Sequence, residues 1–214
     1  MTRRGVLMLA LLALGTVGGC RPAGPRPLNS PDVPSSVRAW AEGPVRWLFQ
    51  PDERRRFQRV RTSPQALAFI EAFWRRRDPD LEEPGNPYAE EFFRRTQEAD
   101  LLYEEDHLVG SLTDRGRVFI LLGPPSRLSL TQRAAPALGS TGRRGRGDGT
   151  TKISVEVWGY VALDLGEELW AKLTAADPRV TRLELAFVNE DRRTRLTSGE
   201  EWLEIAAAAG VRRE

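Results

Sequence analysis

The apolar residues of this 214-residue chain change their period once, near Gly116, and that change limits the folds open to it. Up to Tyr103 they recur at helical spacing; beyond Gly116 they run continuously or alternate, as strands do. Helices gathered in one half and strands in the other predict an α+β fold. The N-terminal helical half would pack on a small antiparallel β-sheet, with a short C-terminal helix.

In the helical half, "SSVRAWAEGPVRWLFQPDERRRFQRVR" (35–61) reads as two short helices, broken at Gly43-Pro44 and near Pro51. Trp40, Val45, Trp47, Leu48 and Phe57 would face inward. In "TSPQALAFIEAFWRRRDPD" (62–80), Ser63 is expected to cap a helix with Pro64 in its first turn. Ala66, Phe69, Ile70, Phe73 and Trp74 form its stripe, and Pro79 disfavours helix before it, so the helix should end by Asp78. In "NPYAEEFFRRTQEADLLYEED" (86–106), Asn86 is the cap, Pro87 opens the helix, and Phe92, Thr96, Ala99 and Tyr103 line one face. Glu90 and Glu91 suit the positive end of the helix dipole.

Past Gly116, "RVFILLG" is ended by Gly123-Pro124-Pro125 and reads as a buried strand. "KISVEVWGYVAL" (152–163) alternates, with Ile153, Val155 and Val157 on one face and Glu156, Trp158 and Tyr160 on the other. Trp158 and Tyr160 are expected to pack under the helices. "TRLELAFVNE" (181–190) alternates through Leu183, Leu185 and Phe187. Residues 131–150, rich in Gly and Arg, predict a flexible loop. It contains Arg146-Gly147-Asp148, a tripeptide that low-complexity sequence produces by chance. "EEWLEIAAAAG" is a last short helix stopped by Gly210.

The first 36 residues carry an address. Arg3 and Arg4 precede an apolar run, Val6 to Leu14, and then the small residues Val17-Gly18-Gly19. That predicts a secretory signal over residues 1–19. Gly5 to Cys20 is short for a membrane span, which takes roughly 20 apolar residues. The chain has one cysteine, Cys20, so neither an intramolecular disulfide nor a thiolate cluster can form. Its setting resembles the lipobox of bacterial lipoproteins, with Val17 where Leu is usual. The resemblance implies cleavage after Gly19, a diacylglyceryl thioether on Cys20 and an acylated new N-terminus. Arg21 after the cysteine points to an outer-membrane lipoprotein facing the periplasm. Residues 21–36 hold five prolines and predict an extended tether, so residues 20–36 form a lipidated linker and 37–210 the domain.

Composition narrows the partners. The formal charge is +2, but without Arg3 and Arg4 the balance is even, 30 basic to 30 acidic residues. That argues against nucleic acid. The expected partners are the membrane, through Cys20, and an envelope protein. His107 is the single histidine, in a charged "YEEDHL" stretch, and reads as solvated. A zinc site built on several His or Cys ligands is therefore excluded by count. "GSTGRRGRGDG" has no strand before it, so it is no nucleotide cradle. No cofactor is expected. Carboxylate pairs drawn from Asp78, Asp80, Glu82 and Asp114 are formally available for hydrolysis, but among 30 acidic residues such pairs arise without meaning.

The feature that calls for explanation is "GSLTDRGRVFILLGPPSR" (110–127), where a charged turn meets an apolar run. Two readings stand. In the structural one, Thr113 or Asp114 accepts turn N–H bonds and Gly116 takes a backbone conformation other residues avoid. Arg115 or Arg117 then forks onto Asp114 or Asp78, pinning the helical half to the first strand. In the functional one, the same cluster is a ligand pocket or hydrolytic site, with arginines gripping an anion and Asp114 as acid or base.

Four blocks in order, "FIEAFWRRRDPD", "NPYAEEFFRRTQEAD", "GSLTDRGRVFILLGPP" and "VEVWGY", resemble the GWxTD domain family of bacterial envelope proteins over residues 40–200. Gly110, Thr113, Asp114, Arg115, Gly116 and Arg117 match the family block, and Ser111 stands where the name-giving Trp would be. The resemblance implies a secreted or lipid-anchored domain and brings no reaction with it. The function expected is a non-catalytic interaction or assembly module of the cell envelope.

Overall fold

In the computed structural model of the chain the described residues are 35–136, 150–190 and 193–211. The signal segment, Cys20, the linker up to residue 34 and loop residues 137–149 lie outside them. The expected architecture is present: N-terminal helices, a four-stranded antiparallel sheet and a C-terminal helix. No helix among the described residues is long and apolar enough to cross a membrane.

The chain begins with α1 (Ser35–Glu42), a 3-10 turn (Pro44–Trp47) and α2 (Pro51–Phe57). Gly43-Pro44 and Pro51 break the helix where expected, because proline cannot donate the next ladder bond. Next comes α3 (Ser63–Arg75), whose cap is Thr62 rather than Ser63: the Thr62 hydroxyl accepts from the Gln65 N–H at 3.4 Å. Trp40, Phe49, Phe57, Phe69 and Phe73 of this region meet ring to ring at centroid separations of 5.2–6.3 Å. The next helix, α4 (Pro87–Leu102), is capped by Asn86, whose Oδ1 accepts from the Ala89 N–H at 2.9 Å.

The apolar run after Gly116 is not a strand. It forms α5 (Asp114–Leu122), with Val118, Phe119, Ile120, Leu121 and Leu122 all buried. A short run apolar on every side looks the same in a buried strand and a buried helix. The upstream residues decide it. Thr113 is extended and its Oγ1 accepts from the Gly116 N–H at 3.1 Å, while Asp114 sits in the first turn, where a negative charge is favoured. Gly123, with φ of +84°, ends the helix and turns the chain through Pro124-Pro125.

The first strand lies later, at β1 (Arg127–Pro136), so residues 131–136 of the expected loop are strand. It pairs antiparallel with β2 (Thr150–Tyr160). Two short helices that periodicity does not suggest follow, α6 (Ala162–Leu165) and α7 (Glu167–Ala176). Then come β3 (Leu183–Glu190), the unforeseen edge strand β4 (Arg193–Ser198) and α8 (Glu200–Ala209). Strand order is sequential, β1-β2-β3-β4.

One face of the sheet forms the core. Trp158, Tyr160, Leu185 and Phe187 are completely buried, and Leu183 nearly so. Trp158 packs on Phe187 and on Tyr103 from the end of α4, so the aromatics of β2 do pack beneath the helices. Glu156 shares that face and its carboxylate accepts from the Trp158 indole at 2.6 Å. The Tyr160 hydroxyl donates to the Gly123 carbonyl at 3.0 Å, tying β2 to the end of α5.

Burial pushes all three tyrosines above their ordinary pKa: Tyr88 and Tyr160 chiefly by loss of water, Tyr103 by loss of water and then by the Glu156 charge. The unfolded chain releases these protons near pH 10 while the folded chain keeps them. Stability should therefore be full below about pH 10 and fall as pH rises further. Tyrosinate absorbance should appear together with loss of helical circular dichroism; early ionisation in a folded chain would contradict this burial.

Two glycines allow the central close approach. A Cβ on Gly110 would sit 1.9 Å from the Ala99 carbonyl oxygen of α4, and one on Gly116 would sit 1.8 Å from the Gly110 carbonyl oxygen. Gly116 has ordinary helical backbone, so its role is space and not the unusual φ that the sequence suggested. Gly166 is the contrasting case: its φ is +74°, and a Cβ added there would meet nothing within 4 Å. Gly116→Ala should destabilise by at least about 3 kcal/mol, as overpacking against rigid backbone does. Gly166→Ala should lose less, about 1–3 kcal/mol of backbone strain, because φ +74° with ψ 159° is a conformation that glycine adopts and alanine resists. Urea unfolding of the two variants would show equal losses if the close approach were unimportant.

Candidate structural and ligand cluster at Gly110–Arg117

Each residue of the charged block reaches a different element. A 3-10 turn (Gly110–Leu112) brings the chain from α4 to α5. Its Ser111 is buried, donates its N–H to Asp100 Oδ1 of α4 at 2.8 Å, and accepts from the Trp47 indole at its carbonyl at 2.9 Å. The Thr113 hydroxyl donates to the Gly110 carbonyl at 2.7 Å while capping α5. Asp114 reaches across to the sheet, where its Oδ2 accepts from the Leu196 N–H of β4 at 2.8 Å.

The arginine partners differ from those expected. Arg115 pairs with Glu105 at 2.9 Å and Glu156 of β2 at 3.5 Å. Arg117 pairs with Glu200 of α8 at 2.6 Å and lies over the Trp47 ring, 5.1 Å from its centroid. Neither arginine pairs with Asp114 or Asp78. Asp78 instead accepts from the Asp80 N–H at 3.1 Å in the loop after α3, and no hydrogen bond or ion pair among the described residues links it to the block. The arginines therefore brace α5 to β2 and α8 rather than to the first strand.

Glu105 was not foreseen. Its Oε1 holds Arg115 and its Oε2 accepts from the Thr194 N–H of β4 at 3.0 Å. Thr194 and Leu196 are two apart on one edge strand, so Glu105 and Asp114 together cap the outward N–H groups of β4. In sequence Glu105 is one acid among several in "YEEDHL", with no periodicity to single it out. His107 of that stretch is exposed.

The helical half holds a buried ion pair that the sequence did not suggest. Arg77, not Asp78, is the centre: its guanidinium donates to both oxygens of Glu53 at 2.9 and 2.7 Å, and to the Leu48 and Phe73 carbonyls. Glu53 also accepts from the Gln50 N–H at the start of α2.

A cavity of about 340 Å³ lies over Thr113 and Asp114, walled by Glu105 and by Arg193 to Leu196 of β4. Its two carboxylates face it already bonded to backbone N–H groups and Arg115. No three His, Cys, Asp or Glu side chains among the described residues are grouped to hold a metal ion.

Part of this geometry lies in a segment that matches a known family. The model of the GWxTD domain matches residues 38–136. Residues 38–136 therefore form a GWxTD domain, running from α1 to the end of β1 and including the whole charged block. The "VEVWGY" block, β3, β4 and α8 lie beyond the matched residues. No curated protein and no solved structure matches the chain.

Asp114→Ala removes the side-chain acceptor of the Leu196 N–H and should cost about 1–3 kcal/mol. For a chain of this size that lowers Tm by roughly 2–10 °C. An unchanged Tm would overturn the bracing role of Asp114.

Proposed function

We propose that this chain is a lipid-anchored protein of the bacterial cell envelope that acts without catalysis, as an interaction or assembly module. The observation that carries the reading is where the charged block spends its polar groups. Asp114, Glu105, Arg115 and Arg117 each hold a partner on another element, and the two carboxylates are engaged with the backbone of β4. A general acid or base needs a carboxyl free to exchange a proton with substrate. Here the block serves as a brace, which leaves recognition to the surface.

The anchor rests on the N-terminal sequence, where Cys20 follows a signal segment and precedes a proline-rich tether. Two or more acyl chains hold a protein on a bilayer durably, whereas one does not. At the block itself, Ser111 stands at the family's Trp position. The indole of Trp47, bonded to the Ser111 carbonyl and stacked under Arg117, supplies the aromatic ring at that corner.

Membranes of the native host, crosslinked with the full-length chain, should yield one or two envelope proteins that a Cys20→Ala chain fails to recover. The Cys20→Ala chain should also leave the membrane fraction. A chain that stays membrane-bound without Cys20 would sink the anchor. A turnover abolished by Asp114→Asn at unchanged Tm would replace the module by an enzyme.

A further inference from the structure

A second concave site is lined by Trp47 and shares no lining residue with the cavity at β4. It is a cleft of about 670 Å³ between the 3-10 turn Pro44–Trp47, α2, Arg117 of α5 and one face of α8. Its floor is apolar: Trp47, Phe49, Leu203 and Ala207. Four arginines line it, Arg46, Arg54, Arg55 and Arg117, against a single acid, Glu204.

Arg117 of this cleft keeps its partner Glu200, and the other three arginines have no carboxylate partner, as is also true of Arg38, Arg59 and Arg75 among the described residues. Arg56, Arg76, Arg77, Arg94 and Arg95 each pair with a carboxylate on their own or a neighbouring helix. Arg46, Arg54 and Arg55 pair with none among the described residues. The Nε atoms of Arg46 and Arg117 are buried and make no hydrogen bond, a condition they share with Arg76, Arg77 and Arg115. Their guanidinium groups both rest on the Trp47 indole, 4.3 and 5.1 Å from its centroid. That indole is itself fixed by its bond to the Ser111 carbonyl. Burial, and then the Arg117 and Arg54 charges, push the Arg46 guanidinium below its ordinary pKa, so the cations repel one another as they stand.

Four like charges around a concavity, three of them without a carboxylate partner, mark a place for an opposite charge. Guanidinium forks match the paired oxygens of carboxylate and phosphate. The apolar floor asks for more than a bare ion. We propose that this cleft binds an organic anion: a carboxylate or phosphate monoester carried on an apolar body, held by Arg46, Arg54 and Arg117 over Trp47, Phe49 and Leu203. The site is independent of anchoring at Cys20 and of the envelope-module reading, so either can fail alone.

Calorimetric titration of the full chain with hexyl phosphate, hexanoate, inorganic phosphate and hexanol tests it. Hexyl phosphate should bind at least about ten-fold tighter than either inorganic phosphate or hexanol, because it engages both the forks and the floor. Arg46→Gln should weaken hexyl phosphate by about ten-fold or more with only a small change in Tm, since relief of the repulsion from Arg117 and Arg54 offsets the lost contact with the Trp47 ring and no ion pair is broken. Arg54→Gln, on the exposed side of α2, repeats the test where packing is not in question. Arg56→Gln, which loses only its partner Asp52, should bind as the parent does. Binding by none of the probes, equal binding of hexanol and hexyl phosphate, or undiminished binding by both Arg46→Gln and Arg54→Gln would overturn the proposal. Vesicles of phosphatidylcholine with and without phosphatidylglycerol separate the sources. Retention by the anionic vesicles that Arg46→Gln abolishes assigns the anion to lipid, and binding of soluble probes alone assigns it to a free acid.

Discussion

The structure depends on a contact between backbones. Gly110 lies against the Ala99 carbonyl of α4, and Gly116 lies against the carbonyl of Gly110, each at a distance no side chain could share. Three consecutive pieces, α4, the 3-10 turn and the first turn of α5, are thereby stacked without side chains between them. This closeness places Ser111 where its N–H meets Asp100 and its carbonyl meets Trp47. It also aims the remaining block residues outward in three directions, to β4, β2 and α8. The five apolar residues that follow are then carried directly into the core as α5.

Around that stack, carboxylates are used chiefly as backbone acceptors. Glu105 and Asp114 cover the N–H groups of β4, and Glu53 serves the start of α2 while neutralising Arg77. An edge strand covered in this way cannot offer those N–H groups to another chain. Buried charges left single are costly, so the Glu53–Arg77 pair comes with added bonds to the Leu48 and Phe73 carbonyls. In the cleft beside Trp47 the arrangement differs: Arg46, Arg54 and Arg55 gather without a carboxylate partner, and Arg117 alone keeps one, Glu200. One indole joins the two regions, bonding the Ser111 carbonyl through its N–H and carrying the Arg46 and Arg117 guanidinium groups at its ring.

Much of the helical half is legible in the sequence because its signals are local. Asn86 and Pro87 start α4 in three dimensions as they do on paper, and Gly43-Pro44 and Pro51 break the chain where proline must. The alternation of Leu183, Leu185 and Phe187 announces β3, and Trp158 and Tyr160 are core. "RVFILLG" misleads as a strand because five adjacent apolar residues have no period to measure, although Thr113 at the cap position is a visible helical signal. Edge strand β4, "RTRLTS", escapes notice because its burial is slight and its N–H groups are served by side chains from about 80 to 90 residues away in sequence.

The sequence by itself determined the α+β class, the positions of the strongest caps and breaks, and the block that anchors the fold. These follow from chemistry within a few residues: a proline without a donor, a side-chain oxygen near its own N–H groups, a repeating apolar face. Only the tertiary structure decided the partners. Arg115 could have met Asp114 or Asp78 on the strength of composition, yet it meets Glu105 and Glu156. Ion pairs and backbone caps between distant segments depend on how helices and sheet come to lie against one another. No local preference encodes that, and here a glycine-on-carbonyl contact sets it.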